Sequence, residues 1–402
     1  MVDIAVIGFG VIGSGTVEVI DKNSDRIARN AGQGIRVKRI LDIREFPDSP
    51  YSSLFANDFE TILNDPDIAV VVETIGGVGA AYEFTRRSLA AGKSVVTSNK
   101  ELVATHGCEL LKLADEKGVN FLFEGSVGGG IPIIRPISQC LSANMISEIY
   151  GILNGTTSYI LTEMEKKGAE FSDALADAQK KGYAEADPAA DIDGHDACRK
   201  ICILSSLAFG KHVYPEFVPA EGIRGVTTED MRFAGELGYR IKLLARTRDM
   251  GGKVTAYVAP HLVNRDNLLA GVDGVMNSVI IRGNAVGDLM FYGAGAGKMP
   301  TASAVAADVI DAVKHMRSRK LIGWEDGCKD DMADPMALES AWYVRTTADR
   351  ARIEHEFGEV VYAGESGSVN AFKTAFLSEK KIKGILDRGI PALSLFRVLG
   401  DY

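Results

Sequence analysis

The segment from Gly182 to Lys200 concentrates the residues that could carry out chemistry in this chain. It reads GYAEADPAADIDGHDACRK and combines five carboxylates with one lysine. An apolar pattern that starts near Asp193 predicts a helix, on which Asp196 and Lys200 lie one turn apart on the same face. A lysine held by a carboxylate can give or take a proton, and the remaining acids can hold a substrate ammonium group. By itself, the run is equally compatible with an acidic loop and a surface ion pair on the next helix.

Length, charge and cysteine content restrict the class of protein. A chain of 402 residues exceeds one small core, which predicts two or three domains. The net charge of −9 argues against a nucleic-acid partner and against an anionic membrane surface. No apolar run is long enough to span a bilayer, and no secretion signal precedes the first strand. Five scattered cysteines without zinc-site spacing indicate reduced thiols in a cytoplasmic protein.

The N-terminal third has the pattern of a nucleotide-binding unit. A short apolar strand over 3–8 runs into GFGVIG and then into a helix. Gly8 permits a tight turn, Gly10 lets backbone approach a pyrophosphate, and Gly13 lets helix and strand pack closely. The helix N-terminus offers N–H groups to phosphate, although a glycine-rich turn without a ligand is the alternative. The predicted cofactor contacts of this turn are Gly8, Gly10, Val11, Ile12 and Gly13.

The residues after the second predicted strand bear on the choice between NAD and NADP. Asp42 directly follows the strand over 35–41, and an acid at this position usually accepts the ribose hydroxyls of NAD. Arg44 lies two residues further and suits the 2′-phosphate of NADP instead. Both cofactors therefore remain open.

Strands and helices alternate up to residue 124. Buried strands over 69–73, 94–97 and 120–124 are separated by helical patterns, which predicts an α/β fold with a Rossmann-type, doubly wound parallel sheet. Ligands of such sheets bind beyond the carboxyl ends of the strands. The residues expected there are Thr74, Ile75, Gly76 and Lys100.

The rest of the chain predicts two further parts. Residues 1–135 form the nucleotide-binding domain, which a helix at about 299–318 completes. Residues 136–298 carry helices and antiparallel-type strands, and they predict an α+β substrate and dimerisation domain. A polar linker over 319–335 leads to residues 336–402, whose pattern βαββαβ is typical of a small ferredoxin-like module.

Six motifs, taken in their order along the chain, resemble the homoserine dehydrogenase family. The segment 182–200 is the most specific of them, and the resemblance covers about residues 1–318. It implies the NAD(P)-linked interconversion of L-homoserine and L-aspartate 4-semialdehyde, a step toward threonine, isoleucine and methionine. It also implies a homodimer. The motifs are the glycine turn 8–13 and the segments 98–104, 124–134, 154–161, 182–200 and 295–305.

The resemblance implies a role for individual residues. Lys200 matches the lysine that transfers the proton, Asp196 the acid beside it, and Lys100 a lysine near substrate and nicotinamide. A monovalent cation site for Na⁺ or K⁺ maps onto the Glu124 side chain and three backbone carbonyls, and oxygen ligands suit such a hard cation. The carbonyls belong to Val127, Gly129 and Ile131. The implied substrate-binding residues are Glu185, Asp191, Asp196 and Thr156, and further cofactor contacts are Lys100, Gly182, Glu185 and Gly297.

The C-terminal segment resembles the ACT domains appended to many members of this family. The usual Pro-Gly turn between the first strand and the first helix is replaced by Ala348 and its neighbours. Effector binding and a dimerising or structural role therefore both remain open. Two alternatives to the dehydrogenase also remain: a non-catalytic nucleotide and amino-acid sensor on the same scaffold, and a related dehydrogenase with another amino-acid-like substrate.

Overall fold

The computed structural model describes residues 1–318, 320, 322–364 and 368–400. The chain forms two compact units. The first contains Met1–Met145, Cys202–Pro215 and Gly293–Cys328, and the second contains Ile146–Ile201, Glu216–Tyr292 and the residues from Lys329 onward. Within the described residues, no helix has the length and apolar character needed to cross a membrane.

The first unit is built on a six-stranded parallel sheet with the order β3-β2-β1-β4-β5-β6. The strands β1 and β4 are buried along almost their whole length, as expected for strands covered on both faces. This topology confirms the predicted Rossmann-type sheet. The strands are β1 Val2–Ile7, β2 Ile35–Leu41, β3 Phe55–Ala56, β4 Ile68–Glu73, β5 Ser94–Thr97 and β6 Phe121–Leu122.

The helices of the first unit follow the predicted alternation, with two additions, Ser24–Ala31 and Glu60–Leu63. The helix Ser24–Ala31 lies in the polar stretch that the sequence suggests is an extended connection, and it buries Ile27 and Ala31 one turn apart. The helix Lys100–Lys117 starts at Asn99, whose side chain caps it, and ends at Gly118. The other helices are Val11–Lys22, Glu60–Leu63, Gly79–Ala90 and Lys298–Lys314, together with a π-helical turn at Pro136–Cys140.

The second unit contains a ten-stranded mixed sheet. Nine of its strands follow the order β11-β10-β7-β8-β9-β16-β12-β14-β13, and β15 pairs with β12 beside this path. The strands are β7 Ile146–Ile152, β8 Tyr239–Asp249, β9 Val254–Asn264, β10 Met276–Gly283, β11 Gly287–Ala294, β12 Glu339–Thr346, β13 Val361–Tyr362, β14 Asn370–Lys373, β15 Leu377–Ser378 and β16 Ala392–Val398.

Helices separate the strands of this sheet along the chain, and two of them pack on β8. The helix His195–Phe209 starts close to Asp193, as its apolar pattern predicts. The helix Thr228–Glu236 begins with a capping box between Thr227 and Asp230. The remaining helices are Gly155–Lys167, Phe171–Lys180, Ala189–Ile192, Arg350–Phe357 and Glu379–Leu386.

The C-terminal strands continue the sheet of the second unit. From β12 to β16 the elements follow the order βαββαβ, with the short β15 added before the last helix. Strand β16 pairs in parallel with β9, with Arg397 opposite His261. The preceding stretch, 322–335, is also hydrogen-bonded: the His212 N–H donates to the Glu325 carbonyl oxygen, and the Ala333 N–H donates to that of Val254.

Candidate active site

In the second unit, the lysine and two acids of the segment 182–200 converge on the turn after β7. The Lys200 Nζ donates hydrogen bonds to the Leu153 carbonyl oxygen and to Asp196 Oδ2, each at 2.8 Å. Their side chains are only 8% and 5% exposed, respectively. This buried ion pair has the i,i+4 spacing that the sequence predicts, and its burial excludes the interpretation as a surface pair.

Asn154 joins the second acid to this pair. Its Nδ2 donates to Asp191 Oδ1 at 2.7 Å and to Asp196 Oδ2 at 2.9 Å. Its Oδ1 accepts the Thr157 N–H at 2.8 Å and thereby caps the helix Gly155–Lys167. The sequence analysis did not select Asn154, although an asparagine before Gly-Thr-Thr is a recognisable helix start.

The electrostatics of the cluster favour a cationic ligand. Burial raises the pKa of Asp191, and the nearby Asp196 charge raises it further. Hydrogen bonds from Asn154 and Thr156, together with the Lys200 charge, oppose this rise. Two neighbouring carboxylates with one lysine leave negative charge that an ammonium group can neutralise.

Three further candidates complete the predicted site: Thr156, Gly182 and Glu185, of which the last two are exposed. Thr156 is buried, and its hydroxyl donates to the Tyr183 carbonyl oxygen at 2.7 Å. Glu185 is exposed, and among the described residues its carboxylate accepts no hydrogen bond from the cluster; only its backbone carbonyl is bound, by Gln179. Gly182 has a φ of 74° in the turn that follows the helix Phe171–Lys180. Neither Gly182 nor Glu185 is therefore joined to Lys200 by these contacts.

In the first unit, the glycine turn after β1 has no space for a side chain at Gly8 or Gly13. Gly8 has a φ of 92°, and a Cβ atom added to Gly13 would lie 1.8 Å from the Gly8 carbonyl oxygen. Thr74 closes the turn from the adjacent strand by donating to that oxygen at 2.9 Å. The helix Val11–Lys22 starts at Gly10 without a side-chain cap. Its first N–H groups, including those of Val11 and Ile12, are thus suited to a pyrophosphate.

Asp42 and Arg44 form an ion pair at the end of β2. Asp42 Oδ1 accepts the Arg44 backbone N–H and Nε, and Oδ2 accepts Arg44 Nη2 at 2.9 Å and the Phe9 N–H at 2.6 Å. The Arg44 guanidinium and the backbone donors lower the pKa of Asp42 to about 2. Arg44 is 58% exposed, and its Nη2 lies 3.8 Å from the position that a Cβ atom on Gly10 would occupy.

Hydrogen bonds join the loop after β4, which contains Ile75 and Gly76, to the loop after β5. Glu73 accepts the Ile75 N–H at 2.8 Å and the Thr97 hydroxyl at 2.6 Å. Asn99 donates to the Gly77 carbonyl oxygen at 2.6 Å. Lys100 follows directly as the first residue of its helix and is half-buried. Thr74, Ile75, Gly76 and Lys100 therefore lie at the carboxyl edge of the sheet, as predicted.

Glu124 lies buried below a loop with unpaired carbonyl groups. Its carboxylate accepts the backbone N–H groups of Ile133, Ile134 and Arg135 at 2.5, 2.8 and 2.9 Å. Among the described residues, no hydrogen bond reaches the carbonyl oxygens of Val127, Gly129 and Ile131. Gly129 has a φ of 56° and packs against Gly295, two residues before Gly297. No cluster of three or more metal-binding side chains occurs in the described part of the chain.

The comparisons with known proteins agree on one family. A family model described as "Homoserine dehydrogenase, NAD binding domain" matches residues 8–124, and one described as "Homoserine dehydrogenase" matches residues 132–310. The homoserine dehydrogenase of Pseudomonas aeruginosa is 44% identical over 356 residues, which cover 86% of this chain and 82% of that protein. The chain belongs to the homoserine dehydrogenase family. The homoserine dehydrogenase of Helicobacter pylori is 37% identical to this chain, and the alignment covers 95% of this chain and 90% of that protein.

Solved structures of homoserine dehydrogenases share the fold. The structure from Thiobacillus denitrificans has a TM-score of 0.88 and 36% identity, and the alignment covers 99% of this chain and 98% of that one. A hyperthermophilic archaeal homoserine dehydrogenase in complex with NADPH has a TM-score of 0.65 and 29% identity, with coverage of 77% and 97%. Homoserine dehydrogenases are NAD(P)-dependent oxidoreductases that act on a CH–OH group.

Proposed function

We propose that this chain catalyses the NAD(P)-dependent interconversion of L-homoserine and L-aspartate 4-semialdehyde, in threonine, isoleucine and methionine biosynthesis. The observation that carries the proposal is the buried cluster of Lys200, Asp196, Asp191 and Asn154. A structural ion pair does not need a second carboxylate beside it. An alcohol dehydrogenase for an amino-acid substrate needs both a proton carrier and an anionic site for the ammonium group.

Lys200 is the proposed proton carrier. Oxidation of the carbinol requires a proton to leave the hydroxyl oxygen while the bound nicotinamide supplies the hydride chemistry. Hydrogen bonds to Asp196 and to the Leu153 carbonyl oxygen fix the position of the Lys200 amine. The fixed geometry lets the amine accept the proton in one direction and return it in the other. Lys100, at the carboxyl edge of the parallel sheet, is the proposed second catalytic lysine.

The carboxylates and Thr156 are the proposed substrate-binding groups. The Asp191 and Asp196 carboxylates provide negative charge for the ammonium group of homoserine, and Glu185 is solvent-accessible in the same chain segment. Glu185 and Gly182 are also proposed to contact the cofactor, together with Gly297. Because Glu185 is exposed, we expect its replacement to affect the Michaelis constant more than the folding of the chain.

The test compares two buried lysines. Lys242 matches Lys200 closely, because its Nζ also donates to one backbone carbonyl oxygen and one aspartate, those of Val272 and Asp273. We expect Lys200→Met to lower kcat for homoserine oxidation about 10²–10⁴-fold without changing cofactor affinity. Lys242→Met controls for the cost of burying a methionine. Absence of homoserine-dependent NAD(P)⁺ reduction by the folded wild type would favour the sensor or another substrate.

NADP is the proposed cofactor. All four lone-pair positions of the Asp42 carboxylate already accept hydrogen bonds, so it has no free acceptor for ribose hydroxyls. Arg44 instead presents unused guanidinium N–H groups beside Gly10, which suits a 2′-phosphate. The archaeal relative in complex with NADPH is consistent with this preference. Gly8, Gly10, Val11, Ile12 and Gly13 would hold the pyrophosphate.

A monovalent cation, Na⁺ or K⁺, is the proposed ligand of the loop above Glu124. The buried carboxylate and the unpaired carbonyl oxygens of Val127, Gly129 and Ile131 form an all-oxygen donor set, which fits a hard cation. Such a cation would be coordinated by the loop carbonyls, would offset the Glu124 charge and would keep the segment 127–131 in one conformation. It would take no part in proton transfer.

The organisation of the whole chain remains a proposal as well. We retain a nucleotide-binding domain over 1–135 completed by the helix near 299–318, a substrate and dimerisation domain over 136–298, a linker over 319–335 and an ACT-like module over 336–402. The βαββαβ order of the C-terminal elements supports the last assignment. We also propose a homodimer and a cytoplasmic location, the latter because the cysteines are scattered and odd in number.

A further inference from the structure

Asn154 uses its whole side-chain amide inside the cluster. Nδ2 donates one hydrogen bond to Asp191 and one to Asp196. Oδ1 accepts two, from the backbone N–H of Thr157 at 2.8 Å and from its hydroxyl at 2.9 Å. The side chain is buried, and each of its hydrogen-bonding positions is filled. Such a residue is held rigidly and holds its partners in turn.

The same turn also holds the lysine. The Leu153 carbonyl oxygen, in the peptide group that links Leu153 to Asn154, accepts a hydrogen bond from Lys200 Nζ. Asp196 Oδ2 accepts from both Lys200 and Asn154. One turn of backbone and one amide therefore determine where the proton carrier and both acids lie. Asp191, Asp196 and Lys200 lie 37 to 46 residues after Asn154 in the chain, on two other helices. Only their hydrogen bonds to this turn fix them to it.

A neutral amide is the chemical group that this position requires. Two carboxylates close together repel each other unless donors lie between them, and each N–H of the amide satisfies one of them without adding charge. A lysine or arginine here would neutralise the charge that an ammonium substrate needs. A serine has one donor and can satisfy only one acid. An aspartate has no donor when ionised and would add a third negative charge.

We infer that Asn154 is a positioning residue for the dehydrogenase reaction, which holds Asp191 and Asp196 in the geometry that binds the substrate ammonium and aims Lys200 at the substrate oxygen. The inference rests on the proposed function, because it assigns Asn154 a part in that chemistry. It goes beyond the cap of the helix Gly155–Lys167, and the two roles can be separated experimentally.

The experiment replaces Asn154 by serine, which keeps the helix cap and removes the bridge. Serine and asparagine are nearly equivalent N-caps, so the helix start is kept, and the melting temperature should fall only by what the two lost hydrogen bonds to the acids contribute. We expect kcat for L-homoserine to fall about 10–100-fold and its KM to rise several-fold, with NADP⁺ affinity unchanged. Asn267→Ser is the matched control, because Asn267 also caps a helical turn, through Leu269, outside this cluster. The control should keep wild-type kinetics.

A double-mutant cycle separates positioning from general destabilisation. Asn154→Ser combined with Asp191→Asn should lose less activity than the product of the two single losses, since the bridge joins these two residues. Asn154→Asp, which also keeps a cap, replaces the serine variant if the latter does not fold, and the same loss of kcat is expected. Three outcomes would overturn the positioning role while the proposed function stands. They are wild-type kinetics in a folded Asn154→Ser variant, fully multiplicative losses in the double mutant, and failure of both Asn154 variants to fold. An inactive, folded wild type would overturn the function and this inference together.

Discussion

Replacing Arg44 by alanine tests the cofactor preference at one residue. Arg44 holds Asp42 through two side-chain hydrogen bonds of 2.9 Å, and its guanidinium is more than half exposed beside Gly10. The substitution removes the donors for a 2′-phosphate and at the same time frees the Asp42 carboxylate. We therefore expect the affinity for NADP⁺ to fall while the affinity for NAD⁺ stays the same or rises slightly.

The magnitude follows from the number of charged hydrogen bonds that are lost. A hydrogen bond between charged groups contributes about 1.5–3 kcal/mol, and about 1.4 kcal/mol corresponds to a tenfold change in affinity. One lost guanidinium–phosphate contact should thus raise the NADP⁺ dissociation constant about 10–150-fold. The NAD⁺ dissociation constant should stay the same or fall slightly, because the loss of Arg44 frees lone pairs of the Asp42 carboxylate for the ribose hydroxyls.

The assay measures both dissociation constants by fluorescence titration and both KM values with L-homoserine. Arg36→Ala is the control: Arg36 lies on β2, the strand that precedes Arg44, is 59% exposed and forms a comparable two-bond pair with Asp3. The wild-type NADP⁺ constant should also weaken with ionic strength, since the contact is exposed. Equal weakening of NADP⁺ and NAD⁺ in Arg44→Ala, or the same result in Arg36→Ala, would refute the assignment.

Three further predictions follow from other parts of the structure. Gly13→Ala should abolish cofactor binding or folding, because the added Cβ would lie 1.8 Å from the Gly8 oxygen. Gly384→Ala is the comparison, because Gly384 also lies in a helix without a positive φ but has no atom within 4 Å of the added Cβ. Unaltered NADP⁺ titration of Gly13→Ala would contradict the packing. Glu124→Gln should remove any rise in melting temperature that Na⁺ or K⁺ produces over choline at equal ionic strength, and a wild type indifferent to the cation would eliminate the site. His261 is fully buried and its pKa is lowered to about 3, mainly by burial, so between pH 6.5 and 3 the unfolded chain binds a proton that the folded chain does not. The contribution of neutral His261 to the free energy of unfolding is complete above pH 6.5 and decreases as the pH falls, by about 2 kcal/mol at pH 5. The difference in unfolding free energy between the wild type and His261→Gln should therefore be smaller at pH 5 than at pH 7.5 by that amount. A difference that stays constant between the two pH values would contradict the lowered pKa.

Some features of this protein follow from local sequence alone. The strand Ile35–Leu41 and the helix Lys100–Lys117 lie within one residue of their predicted bounds, because their apolar periodicity and the Gly118 stop act over a few neighbours. The i,i+4 pairing of Asp196 with Lys200 is a property of the helix itself. The glycine turn also carries its own explanation, since only glycine fits the close contact at Gly13.

Other features depend on partners that are distant in the chain. Strand β8 was not predicted, because Lys242 and Arg246 interrupt its apolar pattern; they are buried only because Asp273 and Glu148 pair with them. The apolar pattern predicts a helix from residue 158, whereas the helix Gly155–Lys167 starts three residues earlier, where Asn154 caps it. Pairing of β16 with β9 joins residues more than a hundred positions apart, which no local pattern encodes.

The candidate site divides in the same way. The types of its residues and the helical spacing of Asp196 and Lys200 were readable from the sequence, and they indicated proton transfer beside an anionic pocket. Tertiary structure decided that Asn154 bridges Asp191 and Asp196, that the Leu153 carbonyl holds Lys200, and that Glu185 remains exposed. It also decided that Arg44 occupies the Asp42 carboxylate. Residue type sets what a group can donate or accept, whereas only the folded chain determines which distant group is within about 3 Å to take part.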